Sequence, residues 1–565
     1  MCSGRYLFAV VLSAFSASCF AQTPAETRAV TVEVDAGHPT GRYEPVWSYF
    51  GADEPNYSYA ANGQQLLREL SRLSSAPVYV RLHNLLTTGD DSGSLKWGST
   101  NVYREDSEGR PIYDWTITDR IFDALTKNGV RPLVEVGFMP EALSTYPVPY
   151  RHTFPDGPVF TGWSYPPKDY DKWAALITAW TKHLHERYGD AAVRTWLWEV
   201  WNEPDIDYWH GTPEEYDKLY DVTAAAIQKV LPNAKIGGPE ATGIGPGRSE
   251  NFLRQFLEHC ARGRNAATGG NGAPLAFISF HPKGSPKMVD GHMRMDIGHQ
   301  LRAMDLGMRV VASYPEWKNT PIILGESDPE GCAACKGAQN GYRNGPLYGV
   351  SVAEAMSRAV ELAQRNGVTL QGAVTWALEF EDQPLFAGFR ELATGGMVDG
   401  KSYLVDKPVL NVFRMMGMMG GEYVSVTSSG ALPVEQVVKE SVRAAPDVNA
   451  VATRSEHGVD VLLWNYHDDD VAAEAAQVDL SVKAIPARGV MMQEFLVDEE
   501  HGNAYAAWQK MGGPERPTAQ QFVALQRAAK LEPVSPPAAL VTKGGSTRVQ
   551  IKLERQGVMM VHLSW

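Results

Sequence analysis

The sequence predicts an α/β architecture, a (β/α)8 TIM barrel with an accessory antiparallel β-sandwich domain. Two observations carry this expectation. Between residues 47 and 380, short apolar runs alternate with amphipathic helical patterns. Beyond about residue 420, strand-like runs follow one another without helices between them. A chain of 565 residues is too long for one ordinary domain and long enough for a barrel plus a second unit.

The first element is a leader. Arg5 gives a short positive start, Leu7 to Phe20 is an apolar run broken only by serines and a few small residues, and Cys19-Phe20-Ala21 offers a small-residue cleavage site. Residues 1–21 therefore read as a signal peptide, too short to span a bilayer comfortably. The alternative is a lipid anchor at Cys19, although Ser16-Ala17-Ser18 lacks the usual branched apolar residue. The expected location is secreted or periplasmic, with no membrane association after cleavage. Residues 22–42 hold a strand, Ala29–Val34, which is expected to join the sandwich.

The barrel is assigned to residues 43–418. Its strand candidates are Val46–Phe50, Val78–His83, Leu133–Phe138, Thr195–Trp201, Lys235–Gly238, Ala276–Phe280, Pro321–Glu326 and Gly372–Leu378. Among the helices, Trp173, Leu176, Ile177, Trp180 and Leu184 recur at helical spacing within Asp169–Tyr188. Thr212-Pro213-Glu214-Glu215 supplies a cap, a first-turn proline and acids at the positive helix end. Eight apolar strands separated by helices imply a closed parallel barrel.

Residues 419–565 are assigned to the sandwich. Val459–Trp464, Ala476–Val482 and Thr547–Leu553 read as its strands, with a polar helical insertion near Asn503–Lys530. Three cysteines remain after leader removal: Cys260, Cys332 and Cys335. The last two are close enough to bridge in an oxidising compartment, and a structural role is favoured over a metal site because no second pair stands at ligand spacing.

The composition narrows function. Net charge is 52 − 66 = −14, which disfavours nucleic-acid partners. The 14 histidines show no His-Glu-x-x-His or comparable spacing, so no metal or other cofactor is expected.

Two acids stand where a barrel places its chemistry, at the carboxyl ends of strands. Glu203 follows the fourth run in Trp198-Glu-Val-Trp-Asn-Glu203-Pro204-Asp205, and Glu326 ends the seventh in Pro321-Ile-Ile-Leu-Gly-Glu326-Ser-Asp-Pro329. A bare Asn-Glu-Pro is a weak motif; at the end of a fourth barrel strand it becomes strong. Each acid has a bland alternative, a solvated loop acid for Glu203 and a helix-capping acid for Glu326. Asp328 and Glu330 compete with Glu326 but lie farther beyond the strand. Cleaving a glycosidic bond with retention needs a proton donor and an attacking carboxylate about 5–5.5 Å apart. Two carboxylates that close cannot both ionise freely, so one is expected to be protonated. That one is Glu203, leaving Glu326 to attack, with Asn202 suited to bonding a sugar hydroxyl beside them.

At this point the chain resembles glycoside hydrolase family 39, the family of β-xylosidases and α-L-iduronidases. The likeness rests on Val80-Arg-Leu-His83, Pro132-Leu-Val-Glu-Val-Gly-Phe-Met-Pro140, Trp198–Asp205, Gly237-Gly-Pro239, Ile278-Ser-Phe-His281 and Lys407-Pro-Val-Leu410. Asp498-Glu-Glu-His-Gly-Asn-Ala-Tyr505, Trp508, Met511-Gly-Gly-Pro514 and Pro517-Thr518 extend it through the C-terminal part. The resemblance implies Glu203 as acid/base, Glu326 as nucleophile, and sugar contacts from His83, Asn202, His281, Trp376 and Glu381. The alternative for the histidines is a buried, hydrogen-bonded role, for Trp376 ordinary core, and Glu381 competes with Glu379 and Asp382.

One departure bears on substrate. Where the xylosidase-like pattern has His-x-Tyr, this chain has His281-Pro282-Lys283. Lys283, with Arg390 nearby, resembles the iduronidase branch, in which a lysine at this place holds a uronate carboxylate; the alternative is a surface lysine. The expected activity is a retaining exo-glycosidase on plant cell-wall pentosides, most simply a β-D-xylosidase. The alternatives are an α-L-arabinosidase, a uronidase reading its substrate through Lys283, or a non-catalytic carbohydrate-binding protein that kept the scaffold.

Overall fold

The computed structural model describes residues 29–152, 159–486 and 488–565. The expected leader, Cys19 included, lies outside the described residues. Eight parallel strands close into a barrel: Tyr49–Ala52, Tyr79–Leu82, Arg131–Val136, Leu197–Val200, Lys235–Ala241, Phe277–Phe280, Ile322–Leu324 and Leu370–Trp376. The last pairs with the first, Val374 beside Tyr49. Each strand is buried along most of its length because helices cover the outside, which explains the continuous apolar runs.

The strands arise where expected, with shifted ends. The first begins at Tyr49, not Val46, because Ser48 N–H bonds to the Pro45 carbonyl and turns Val46 and Trp47 under the barrel. The seventh is only Ile322–Leu324, which leaves Glu326 past the strand end, at the mouth.

Helix Tyr170–Tyr188 buries Trp173, Leu176, Ile177, Trp180 and Leu184, the predicted stripe, and the Asp169 carboxylate caps its start. Helix Pro213–Val230 begins with a reciprocal capping box between Thr212 and Glu215.

The second unit is one nine-stranded sheet. From one edge to the other its strands are Ala538–Ala539, Met491–Val497, Val558–Ser564, Gly458–Tyr466, Asp447–Arg454, Glu422–Ser428, Ala29–Arg42, Ala476–Lys483 and Ser546–Leu553. Val30, Val34, Val448, Val461, Leu480 and Met559, from strands across its whole width, share one apolar core, so the sheet curls over itself into two layers. The N-terminal strand joins it as expected, with one difference. It runs antiparallel to Glu422–Ser428 but parallel to Ala476–Lys483. Arriving from the far end of the chain, it has no hairpin to force its direction.

The outer face of this sheet packs on the barrel. Leu462, Trp464, Tyr466, Val558 and Met560 belong to the barrel's core cluster. Trp464 Nε1 donates to Glu354 on helix Pro346–Asn366, and Arg358 of that helix bridges Glu354 and Asp447. The helical insertion forms Ala504–Lys510 and Ala519–Ala528. It reaches back to the barrel mouth, where Phe522 and Leu525 pack with Phe386 and Tyr403. Among the described residues, no helix is long and apolar enough to cross a membrane.

Candidate active site

Glu203 lies three residues past the fourth barrel strand and Glu326 two past the seventh, both at the carboxyl-end face. Glu203 sits at a φ of 44°, uncommon for a non-glycine residue, and its N–H donates to the Glu240 carbonyl at 2.9 Å. A carboxylate oxygen of Glu203, one of Glu326 and a ring nitrogen of His281 all lie within 4.8 Å of one another. His281 Nδ1 is 2.9 Å from Glu203 Oε1 and 3.7 Å from Glu326 Oε1. The two carboxylates thus face each other across one pocket.

Cations surround Glu326. Lys283 Nζ approaches its Oε2 at 2.5 Å, while Arg81 Nη1 and His83 Nε2 both stand 3.3 Å from Oε1. Burial alone would raise the pKa of this carboxyl. The charges of Lys283, His281 and His83 outweigh burial and hold it well below the usual carboxylate range. That favours the ionised form of Glu326, the form in which a carboxylate can attack.

A layer of buried charge supports the pair from below. Arg81, fully enclosed, meets Glu199, Glu135 at 3.0 Å and Glu240 at 3.8 Å, and donates to Asn202 Oδ1 at 3.1 Å. His83 Nδ1 pairs with Glu135. Burial would lower the pKa of His83, but Glu135 and the hydrogen bond to Glu326 raise it. Asp53 accepts from Trp376 Nε1 at 3.2 Å and pairs with Lys96, also at 3.2 Å. Asp328 takes the Trp376 backbone N–H at 3.0 Å and faces both Lys283 and Arg390 at 2.7 Å.

Gly325 has a packing role in this layer. A Cβ there would lie 1.8 Å from Glu240 Oε2. Gly325→Ala is expected to cost about 1–3 kcal/mol of stability by overpacking, read as a lower melting temperature. It should also lower turnover, because Glu326 is the next residue; a variant with unchanged melting and activity would contradict the packing described here.

The cavity of about 780 Å³ above these residues is lined by Glu203, Glu326, His83, Asn202 and Lys283, together with Tyr150 and His152 of a neighbouring hairpin. His281 and Trp376 stand behind this lining. Both ring nitrogens of His281 already meet carboxylates, and the Trp376 ring packs tilted by 42° against His83, 4.5 Å between centroids. Glu381 is not drawn into the cavity; it bonds Asn62 at 3.3 Å, and Glu379 is the more buried of the two. Arg390 is one carboxylate away from Lys283, locked onto Asp328 and Glu330. Cys332 and Cys335, whose pairing the sequence left open, form a disulfide on the cavity wall.

Several contributors had not been singled out: Asp53, Arg81, Lys96, Glu135, Glu199 and Glu240; Asp328, weighed only as a rival of Glu326, instead supports Lys283 and Trp376. The available signal was charge inside apolar strands, as with Arg81 between Val80 and Leu82. By type and spacing, Glu203, His281 and Glu326 are the set among the described residues that would hold a metal ion. With Lys283 and Arg81 against Glu326, the local field disfavours a cation there.

Comparison with known proteins places this geometry. The profile of the family described as Glycosyl hydrolases family 39 matches residues 30–546. The chain belongs to that family. It is therefore a glycoside hydrolase. A β-xylosidase from Geobacillus stearothermophilus is 27% identical over 465 residues, covering 80% of this chain and 79% of the relative. An α-L-iduronidase from Mus musculus is 24% identical over 560 residues, covering 94% and 80%. The crystal structure of a monomeric β-xylosidase from Caulobacter crescentus CB15 superposes with a TM-score of 0.73 at 21% identity, covering 94% of this chain and 99% of that one, a likeness of fold. Family 39 thus spans, among these relatives, both a neutral and an acidic sugar.

Proposed function

We propose that this family 39 enzyme hydrolyses terminal glycosides by double displacement, with Glu326 as nucleophile, Glu203 as acid/base, and a β-D-xyloside-like pentoside as substrate. The separation of the two carboxylates carries the mechanism. Retaining enzymes hold them about 5–5.5 Å apart and inverting ones about 6.5–9.5 Å apart, to admit a water. Here oxygens of the two lie within 4.8 Å. Asn202, whose Oδ1 is held by Arg81, keeps its amide N–H groups for a sugar hydroxyl. The first product, followed by NMR, should keep the substrate's anomeric configuration; inversion would defeat this mechanism.

A neutral sugar is favoured by the way three cations of the cavity, Lys96, Lys283 and Arg343, are matched, the fourth, Lys287, being exposed. Lys96 pairs with Asp53, Lys283 with Glu326 and Asp328, and Arg343 with Glu330. A uronate would have to compete with these carboxylates. The likeness to β-xylosidases supports the same sugar.

One observation favours a second reading, a uronide. Lys283 reaches the nucleophile itself and so stands beside any sugar bound there. A panel of aryl xylosides, arabinosides, galactosides and uronides separates the readings. Because Lys283 also holds the charge of Glu326, Lys283→Ala should slow every substrate. For a pentosidase the loss is equal, about tenfold or more, across the panel; for a uronidase the uronide falls about a further tenfold or more, the worth of a charge-assisted hydrogen bond.

The leaving group departs on the Glu203 side. There a second cavity of about 810 Å³ shares Tyr150 and Ile206 with the first and is walled by Trp209, Arg248, Asn251 and Gln255. Hydrogen-bonding side chains around a space of this volume suit one or more further sugar units. Export remains part of the proposal: the leader pattern and the disulfide both suit an oxidising compartment.

A further inference from the structure

We propose that His281, clamped between Glu240 and Glu203, stores the proton that Glu203 delivers to the leaving group, and that Glu240 is the positioning residue for this relay. The proposal rests on the double-displacement reading above.

The geometry is that of a chain of proton-bearing groups. His281 is fully buried, with Nε2 2.6 Å from Glu240 Oε2 and Nδ1 2.9 Å from Glu203 Oε1. An ionised carboxylate only accepts, so Glu240 fixes a proton on Nε2, and a single proton lies between Nδ1 and Glu203. Glu240 is tied to both reacting carboxylates. Its carbonyl receives the Glu203 N–H, and its side chain lies against Gly325, the residue before Glu326. Its backbone is held at a φ of 54°, in the left-handed region. Three carboxylates face the His281 ring: Glu203, Glu240 and Glu326. Arg81 stands behind Glu240, and Lys283 lies on the far side of Glu326.

This arrangement times the transfer. Burial would lower the pKa of His281. The charge of Glu326, followed by the hydrogen bonds to Glu203 and Glu240, outweighs it and raises the pKa to about 9. When Glu326 attacks, its oxygen forms a bond to the anomeric carbon and its charge disappears. The bond to the leaving oxygen breaks with its electron pair, and that oxygen takes the proton from Glu203. The Nδ1 proton passes to Glu203 in the same event. His281 is left neutral with Nε2–H on Glu240, and Glu203 is left as a carboxylate ready to act as base. In the second half, water gives hydroxide to the anomeric carbon and a proton to Glu203, which returns it to Nδ1. Glu326 leaves as a carboxylate, and the charge that supports the imidazolium is restored. The group that loses its charge at each glycosylation is thus the one that most strongly holds the proton.

The test uses the 2-deoxy-2-fluoro analogue of whichever aryl glycoside the enzyme turns over fastest, with histidine labelled by 15N. Mass spectrometry locates the adduct, and the His281 resonances are identified by their loss in His281→Gln. The resting enzyme at neutral pH should show His281 doubly protonated, and the adduct should show Nδ1 deprotonated. An adduct on Glu326 with His281 still doubly protonated overturns the relay. No adduct on Glu326 overturns the double-displacement reading and the relay with it. Glu240→Gln supplies an independent measurement. For glycosides whose leaving group needs a proton, the alkaline limb of kcat/KM should move down by about one pH unit or more, the usual effect of one close charge. Dinitrophenyl glycosides, which need no proton, should lose less and show no such displacement of the limb. An unmoved limb, or equal losses on both substrates, would reduce Glu240 to a packing residue.

Discussion

Replacing Glu326 by alanine is expected to lower turnover by about four to six orders of magnitude on every glycoside, the scale seen when a covalent nucleophile is lost. The expectation follows from its surroundings. Lys283, Arg81 and His83 converge on this carboxylate, and together with His281 they keep it ionised against the cost of burial. Alanine offers neither an oxygen to attack nor a charge to receive an oxocarbenium-like centre. Azide, small enough to fill the vacated space, should restore part of the rate and yield a glycosyl azide of inverted configuration. Retained activity above about one per cent of wild type would show that another group attacks. The same ionisation has a pH consequence. A carboxylate with a lowered pKa contributes stability fully above its unfolded value of about 4.3 and loses it only as pH falls towards the lowered value. Glu326 should therefore support the fold across the neutral range and weaken it only in acid.

Glu203→Ala is expected to act selectively. Proton donation contributes about 10²- to 10⁴-fold, so substrates with poor leaving groups should slow by that amount. Dinitrophenyl glycosides need no proton and should form the glycosyl-enzyme at near wild-type rates, after which hydrolysis stalls for lack of a base. A burst of one equivalent followed by slow turnover is the expected trace. Azide should accelerate the second phase and give a glycosyl azide of retained configuration. Equal slowing of good and poor leaving groups would remove Glu203 from the proton-donor role. Read together, the two variants assign the carboxylates by the opposite configurations of their azide products.

Much of this was legible before any coordinates. Strands buried on both faces read as unbroken apolar runs, and the eight runs survive as eight barrel strands. Glu203 and Glu326 were legible because a barrel gathers its strand ends on one face, whatever the separation in sequence. Their supporting residues were not. Glu240 is one acid after Gly-Gly-Pro in the fifth strand, and its partner His281 follows the end of the next strand, so only the barrel's register brings them together. Asp53 and Lys96 sit on loops whose paths no periodicity describes. Among Glu379, Glu381 and Asp382, spacing could not tell which turns inward, since that depends on the Asn62 and Ser402 side chains packed nearby. The parallel neighbour of the N-terminal strand likewise had no local signal.

That strand, Ala29–Arg42, has an effect on how the chain assembles. It lies between Glu422–Ser428 and Ala476–Lys483, so the whole barrel is threaded between two pieces of one ladder separated by about 400 positions in sequence. Closing so long a loop is slow, and until it closes two strands present bare edges. A nascent molecule therefore remains sticky until Ala476–Lys483 has been made, and deleting Ala29–Arg42 should promote self-association.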